Sequence, residues 1–368
     1  MGLKEKIIDL QIKKPKLFIL LLIILTILSS GGYFKIINNL QPSVEKLLPS
    51  ETEVVKNINF LRDYYDIDAI QIVIKSNQDL RDPLALKFFD QLKNYLKTIP
   101  HITEIQTPSD IVKEHYNFIP EEKEKIRKIT SLDPRFHYFY NSDFSLAVIY
   151  VYTDLGANTW LTLKTLNEIR NNINNLRHNF PFDFEYYLTG FPALNIDLFF
   201  SIIFDFIKIS FVAFSIILII LIIKFKNPKE VLLVISVIFF PLIWTTGIIG
   251  YLGLELTIVS TVYGAMLMAL GISYGINFYN TYLQEKRRLK DKEKALRETS
   301  NMLMTALIGS SLTTIASFIA LLFGIVPSYK ALGIILAIGI FLVLFYTLII
   351  FPAFISIKEK IYVNQDVK

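Results

Sequence analysis

Ser273 and Asn277 stand four residues apart inside an otherwise apolar run, and Ser310, Thr314 and Ser317 recur at i, i+4 and i+7 inside another, with Thr313 beside them. On a helix each set shares one face. Hydroxyls and amides surrounded by apolar residues cost free energy unless paired, so they mark helix contacts or a functional face. Their chemistry is hydrogen bonding, because a serine hydroxyl, an asparagine amide and a phenol such as that of Tyr274 do not exchange protons near neutrality. Gly264, Gly271 and Gly275 lie on the first run and let a neighbouring helix approach closely. Helix packing alone accounts for such residues too, since hydrogen bonds between membrane helices average only about 0.6 kcal/mol. One run earlier, Asp205 and Lys208 are spaced for an i,i+3 ion pair at a water-facing helix end, where Lys can extend its ammonium outward; a proton relay is the alternative.

Other chemistry finds no support. His101, His115, His137 and His178 are scattered without ligand spacing, which argues against a metal site. No phosphate-binding Gly-rich loop, Gly-x-Ser-x-Gly or His-Glu-x-x-His pattern occurs, so there is no basis for an ATPase, hydrolase or metalloprotease, and the chain reads as a non-enzyme without cofactor. With no cysteine, disulfides, thiolate metal sites and thiol catalysis are excluded.

The elements that must position the polar stripes are membrane helices. Hydrophobic residues make up 52 % of the 368, aromatics 14 % and charged residues only 19 %. The apolar residues gather in runs near the roughly 20 residues that a helix needs to cross about 30 Å of hydrocarbon. Strand alternation is missing from them, and backbone amides in lipid must pair internally, so helices are expected. The spans read as Leu17–Phe34, Ile202–Ile223, Val231–Tyr251, Leu256–Tyr282, Met302–Ile325 and Ala331–Ile357. Positive charge then orients them. Lys4, Lys6, Lys13, Lys14 and Lys16 precede the first span, Lys224, Lys226 and Lys229 follow the second, and a dense cluster from Lys286 to Arg297 follows the fourth, whereas the opposite turns near Glu255 and Val326 offer only Lys330. Both termini are expected on the cytoplasmic side of a cell (inner) membrane. The stretch from 37 to 198 holds 17 basic and 22 acidic residues, so the rest of the chain carries a net +10. Such a charge balance suits anionic lipid and does not call for nucleic acid. The basic front and short core of the first span also fit a cleaved signal peptide with small residues Ser29, Ser30, Gly31 and Gly32 at the cut, although no Ala-x-Ala site is present.

Five segments follow: a basic N-terminus 1–16, a span 17–36, an extracytoplasmic domain 37–198, a five-helix region 199–357 and a tail 358–368. The 37–198 domain reads as α/β. Ala69–Lys75, Ile102–Gln106, Ser145–Tyr152 and Phe184–Leu188 have strand character, while Pro83–Ile99 and Trp160–Leu176 place apolar residues at helical spacing. Two β-α-β units in this order predict a ferredoxin-like split fold. Glu121–Lys128 reads as a solvated helix face, and the basic segment Gln284–Asn301 as a short interfacial connector helix, with a partner contact as the alternative.

One helix, an α/β domain and five more helices resemble the half-repeat of the resistance-nodulation-division superfamily of exporters, in particular its mycobacterial membrane protein large (MMPL) branch, and also the related sterol-sensing domain. Leu47-Leu-Pro-Ser50, Thr189-Gly-Phe-Pro192, Pro241-Leu-Ile-Trp-Thr-Thr-Gly247, Leu270-Gly-Ile-Ser-Tyr-Gly-Ile-Asn277, Ser311-Leu-Thr-Thr-Ile-Ala-Ser-Phe318 and Leu332-Gly-Ile-Ile-Leu-Ala-Ile-Gly339 carry the resemblance, in order over nearly the whole chain. It implies proton-driven export of lipids or other hydrophobic molecules by a unit built from two such halves, with Ser273, Tyr274, Asn277, Ser310, Thr313, Thr314 and Ser317 as the transport or coupling face. The family's usual acid is replaced here by Ser273, which puts proton coupling at that position in question. Export as a homodimer or with a second related half is the reading adopted. A non-transporting lipid-binding or sterol-sensing-like module, which needs no acid, and a protein-export accessory are the alternatives.

Overall fold

The computed structural model describes residues 3–36, 49, 51–57, 60, 69–155, 159–177, 183–254 and 256–359. Glu255, His178, Ser50, nearly all of the Leu47-Leu-Pro motif and the tail from 360 onward lie outside the described residues. Two compact units partition the chain: Ser50–Phe200, and Met1–Pro49 joined with Ser201–Lys368.

The second of these units is helical. An amphipathic helix α1 (Leu3–Lys13) precedes α2 (Pro15–Ile36), and α7 (Phe191–Phe225), α8 (Pro228–Leu252), α9 (Tyr263–Leu289), α10 (Lys292–Ala320), α11 (Pro327–Phe345) and α12 (Phe351–Lys358) follow later in the chain. A wide turn of π-helix, Tyr346–Ile350, joins α11 to α12. Six helical stretches are long and apolar enough to cross a membrane. All six overlap the expected apolar runs; four overshoot them at both ends, while the fourth begins at Val259 rather than Leu256 and the fifth ends at Phe323 rather than Ile325, and α7 is 35 residues long.

Small residues set the closest helix approach. A Cβ built on Gly32 would lie 1.9 Å from the Gly247 carbonyl oxygen, and one on Gly250 would lie 2.0 Å from that of Gly32, so α2 and α8 touch backbone to backbone. Trp244 Nε1 donates to Thr26 Oγ1 at 3.0 Å, Tyr33 Oη to the Ile243 carbonyl at 3.0 Å, and Tyr251 Oη to the Leu28 carbonyl at 2.8 Å. Ser29 and Gly32, which in sequence resemble a peptidase site, thus form a helix contact.

The expected interfacial helix over 284–301 is absent. Lys290 adopts a left-handed conformation (φ 53°), and Asp291 Oδ1 accepts from the amides of Glu293 and Lys294, so the basic segment is the end of α9, a tight turn and the start of α10.

Residues 50–200 form the α/β unit. Strands β1 (Ala69–Lys75), β2 (Ile102–Gln106), β3 (Leu146–Thr153) and β4 (Glu185–Thr189) make a four-stranded sheet in the order β2-β3-β1-β4. All of its pairings are antiparallel, with β1 running centrally from Ala69 opposite Tyr152 to Lys75 opposite Leu146. With α3 (Pro83–Leu96) between β1 and β2 and α6 (Thr159–Arg177) between β3 and β4, this is the split β-α-β pattern. Ile70, Ile72 and Ile74 of β1 and Ala147, Ile149 and Val151 of β3 point to one face, where they meet Leu86, Phe89, Leu92, Leu166, Ile169 and Ile173 in a single core. Two further helices, α4 (Pro108–Tyr116) and α5 (Lys123–Leu132), lie between β2 and β3. The charged stretch expected as a solvated helix face runs into α5, whose charged residues are exposed while Ile126 and Ile129 are buried on its other side. At the exit of β4, Gly190 takes φ +91° with its Cα so near β1 that a Cβ would lie 2.1 Å from the Ala69 carbonyl, which accounts for glycine in the Thr189-Gly-Phe-Pro192 stretch.

Candidate functional site

Span four, α9, and span five, α10, carry the residues singled out in the sequence. Ser273 and Asn277 face outward from the bundle, as do Ser310, Thr313 and Ser317, with Thr314 partly covered. The two stripes line the same side of the helix pair rather than interlocking. Between them runs an open groove of about 480 Å³ bordered by Asn277, Asn280, Thr281, Gln284, Leu303, Ala306, Leu307 and Ser310. Among the lining groups named, none carries a charge.

Most of the hydroxyls are satisfied by their own helix. Ser273 Oγ donates to the Leu270 carbonyl at 2.7 Å, Thr313 and Thr314 to that of Ser310 at 2.8 and 2.9 Å, and Ser317 to that of Thr313 at 2.9 Å. The hydrogen bond that joins the two helices comes from a residue outside the expected stripe: Ser311 Oγ bonds Tyr274 Oη at 2.9 Å in a buried position. Ser311 is one position off the outward face and therefore points to α9.

Gly264, Gly271 and Gly275 occupy tight contacts. A Cβ would meet Ser210 Oγ of α7 at 2.7 Å, Ile238 of α8 at 3.1 Å with Val343 of α11 at 3.2 Å, and Val237 of α8 at 3.0 Å, respectively. Asp205 and Lys208 are both exposed on α7, and no ion pair joins them among the described residues. Exposed i,i+3 pairs gain too little to hold two long side chains together.

A second polar cluster, unread in the sequence, gathers at the end of the bundle that carries α1. Lys358 Nζ of α12 lies 3.3 Å from Glu230 Oε1 of α8 and donates to Tyr279 Oη of α9, whose ring it overlies at 4.8 Å from the centroid. Beside it Glu359 pairs with Lys286 at 2.8 Å and with Lys292 at 3.3 Å. These two lysines hold the Glu359 carboxyl below its ordinary range despite the opposing effect of burial. Helix α1 adds Asp9, which pairs with Arg297, and Gln11, whose amide donates to the Leu348 and Ile349 carbonyls at 2.7 and 3.0 Å. Those carbonyls belong to the π-helical turn.

In the α/β unit, a cleft of about 950 Å³ opens between β2, β3, α4 and the turn at 134–139, with Tyr138, Phe139, Tyr150 and Tyr152 as its aromatic wall. Its charged rim is internally paired, Lys93 with Asp110 at 2.5 Å and Arg135 with Glu114 at 2.7 Å. His101 contacts Asp154 and His115 contacts Asp133, each singly, and no group of three metal-ligating side chains occurs among the described residues.

Comparison with known proteins agrees with this architecture. The model of the MMPL family matches residues 47–361. The membrane protein MJ1562 of Methanocaldococcus jannaschii is 27 % identical over 373 residues, a match that covers 97 % of this chain and 94 % of that protein. The six apolar helices, the antiparallel sheet unit and a family match over most of the sequence lead to one conclusion: the chain is a membrane protein of the MMPL family.

Proposed function

We propose that this protein is one half of a resistance-nodulation-division type exporter that works in pairs and moves lipids or other hydrophobic molecules across the cell membrane. The observation that carries the reading is the outward-facing groove of amides and hydroxyls between α9 and α10. A polar face within membrane helices is costly against hydrocarbon, and such groups normally turn toward a bundle interior or a water-filled path. In a single six-helix half this face has no interior to turn to. A second half laid against it would supply one, and transport pathways form between repeats in this way. MJ1562 is covered over 94 % of its length, so it too has about the length of one half.

In this arrangement the α/β unit lies outside the cytoplasm, following α2 and preceding the other five spans, and its aromatic cleft receives the apolar part of the cargo. Both termini and the turn at Lys290 are cytoplasmic, in line with the lysine distribution. A homodimer related by two-fold symmetry is the simplest pair.

Single cysteines at Asn277 and Ser310 test the reading in this cysteine-free chain. Crosslinking between copies at both sites in native membranes, with a two-chain mass after mild extraction, is the expected result. Absence of crosslinks together with a fully active single chain in nanodiscs would favour the lipid-sensing module, for which an uncharged groove is sufficient.

A further inference from the structure

We propose that the cleft of the α/β unit binds an organic cation, an ammonium group carried by an apolar molecule, between the Glu104 carboxylate and the aromatic wall of Tyr138, Phe139, Tyr150 and Tyr152. That this cation belongs to the exported molecule rests on the exporter reading above. The sheet register builds the site. In the β2–β3 ladder Glu104 stands opposite Tyr152 and Gln106 opposite Tyr150, so these four side chains share the sheet face turned away from the core that α3 and α6 cover. Gln106 Nε2 donates to Glu104 Oε1 at 2.8 Å and Tyr152 Oη donates to Gln106 Oε1 at 3.5 Å, which ties the carboxylate to the tyrosine row. The cleft, at about 950 Å³, has the size of a small-molecule site.

Charge decides what the cleft accepts. Each of its cations is already answered: Lys93 by Asp110, Lys113 by Asp90, and Arg135 by Glu114 and Asp133. Glu104 is not. Among the described residues its side chain bonds the Gln106 amide and pairs with no cation. Its charge is felt on the aromatic wall, because the Tyr152 phenol is raised first by burial and then by Glu104. Even with His115 protonated against Asp133, the carboxylates of Asp90, Asp110, Glu114, Asp133 and Glu104 outnumber the cations around them. An anionic group would meet that excess, a neutral one would leave Glu104 unanswered, and a cation completes the balance.

The aromatic geometry fits the same ligand. The Tyr150 ring stands at 74° to that of Phe139 with centroids 5.6 Å apart, and Tyr150 Oη is anchored on the Tyr138 carbonyl at 2.9 Å. Rings turned against each other present π faces in two directions, and a quaternary ammonium is attracted to such faces from every side. A carboxylate beside them adds a second attraction, and both strengthen as the ligand displaces water from the cleft. Tyr138, 73 % exposed, is the part of the wall open to an incoming molecule.

The test titrates benzyltrimethylammonium, a water-soluble cation with an apolar arm, against the full chain in nanodiscs by saturation-transfer NMR. Neutral benzyl alcohol and anionic benzenesulfonate are run beside it, with empty nanodiscs as the blank. The cation should bind about tenfold more tightly than the alcohol, and the sulfonate should bind least. Glu104→Gln, a change at an exposed position, should remove the cation's advantage. Tyr138→Leu, also exposed, should weaken the cation more than the alcohol, and Glu185→Gln on strand β4 should change neither. Equal binding of cation and alcohol, tighter binding of the sulfonate, or undiminished cation binding in Glu104→Gln would overturn the proposal. Glu104-dependent cation binding in a protein that moves no lipid would remove the exporter reading and leave this site standing. Lipid transfer at one rate for cationic and neutral lipids, in both the parent and Glu104→Gln, would do the reverse.

Discussion

Gly247→Ala tests the packing that holds span one to the rest of the bundle. A Cβ at Gly247 would lie 2.2 Å from the Ser29 carbonyl oxygen and 2.7 Å from Ser29 Cβ, whereas real Cβ contacts are essentially never below 3.0 Å, so α2 and α8 must separate. Overpacking of this kind costs about 1–3 kcal/mol. Three hydrogen bonds cross the same seam, from Trp244, Tyr33 and Tyr251, and at about 0.6 kcal/mol each in membrane helices their loss adds about 2 kcal/mol. The expected destabilisation is therefore about 3–5 kcal/mol. Gly309→Ala is the control, because nothing lies within 4 Å of a Cβ there, and it should stay within about 1 kcal/mol of the parent. Reversible detergent-titrated unfolding in bicelles, followed by circular dichroism, measures both. If Gly247→Ala is as stable as Gly309→Ala, the backbone contact between α2 and α8 is not what holds span one.

Ser273→Ala should leave stability unchanged, since its hydroxyl is exposed and bonded within its own helix, while Tyr274→Phe should cost about 0.6 kcal/mol through the lost bond to Ser311; the same titration separates them. The α/β unit should be acid-sensitive. Arg135 and His115 hold Asp133 well below the usual carboxylate range, and at Asp79 the hydrogen bonds of Arg81 with the charges of Arg81 and Arg127 outweigh a burial effect that would raise it. Depressed carboxylates contribute stability that is fully present above about pH 4 and is lost as pH falls through their folded values. Trp160 fluorescence in a Trp244→Phe background should therefore report a flat unfolding temperature from neutrality to mild acid and a fall below about pH 4, smaller in Asp133→Asn. Cysteines at Ser142 and Ile325 should react with an impermeant thiol reagent added to sealed cells, and those at Asn227 and Lys290 should not; labelling of the last two would reverse the topology.

The spans were legible because an apolar run of membrane length has few other uses, and the strands because β-branched residues gather in short runs such as Ile70–Ile74, with Ile70, Ile72 and Ile74 on one side and Gln71, Val73 and Lys75 on the other. Helix α4 was missed although Thr107, Pro108 and Asp110 spell a capping box with proline at the first turn. Helix α1 was read only as basic charge, yet Ile8, Gln11 and Ile12 at i, i+3 and i+4 form its buried face. The polar stripes on α9 and α10 followed from helical periodicity, but that periodicity does not tell an inward face from an outward one, and the joining contact proved to be Tyr274 with Ser311. Glu230 and Lys358 could not be paired from sequence, as their meeting depends on how α8, α9 and α12 pack.

Movement of hydrophobic molecules by paired copies of this chain can be measured in proteoliposomes. A fluorescent short-chain lipid is placed in one leaflet, and its appearance in the other is followed by a membrane-impermeant quencher, with and without an inside-acid proton gradient. Transfer should be faster than in protein-free vesicles, respond to the gradient, and be abolished by crosslinking the Ser310→Cys pair across the groove. Transfer at the protein-free rate by a verified two-chain assembly would contradict it.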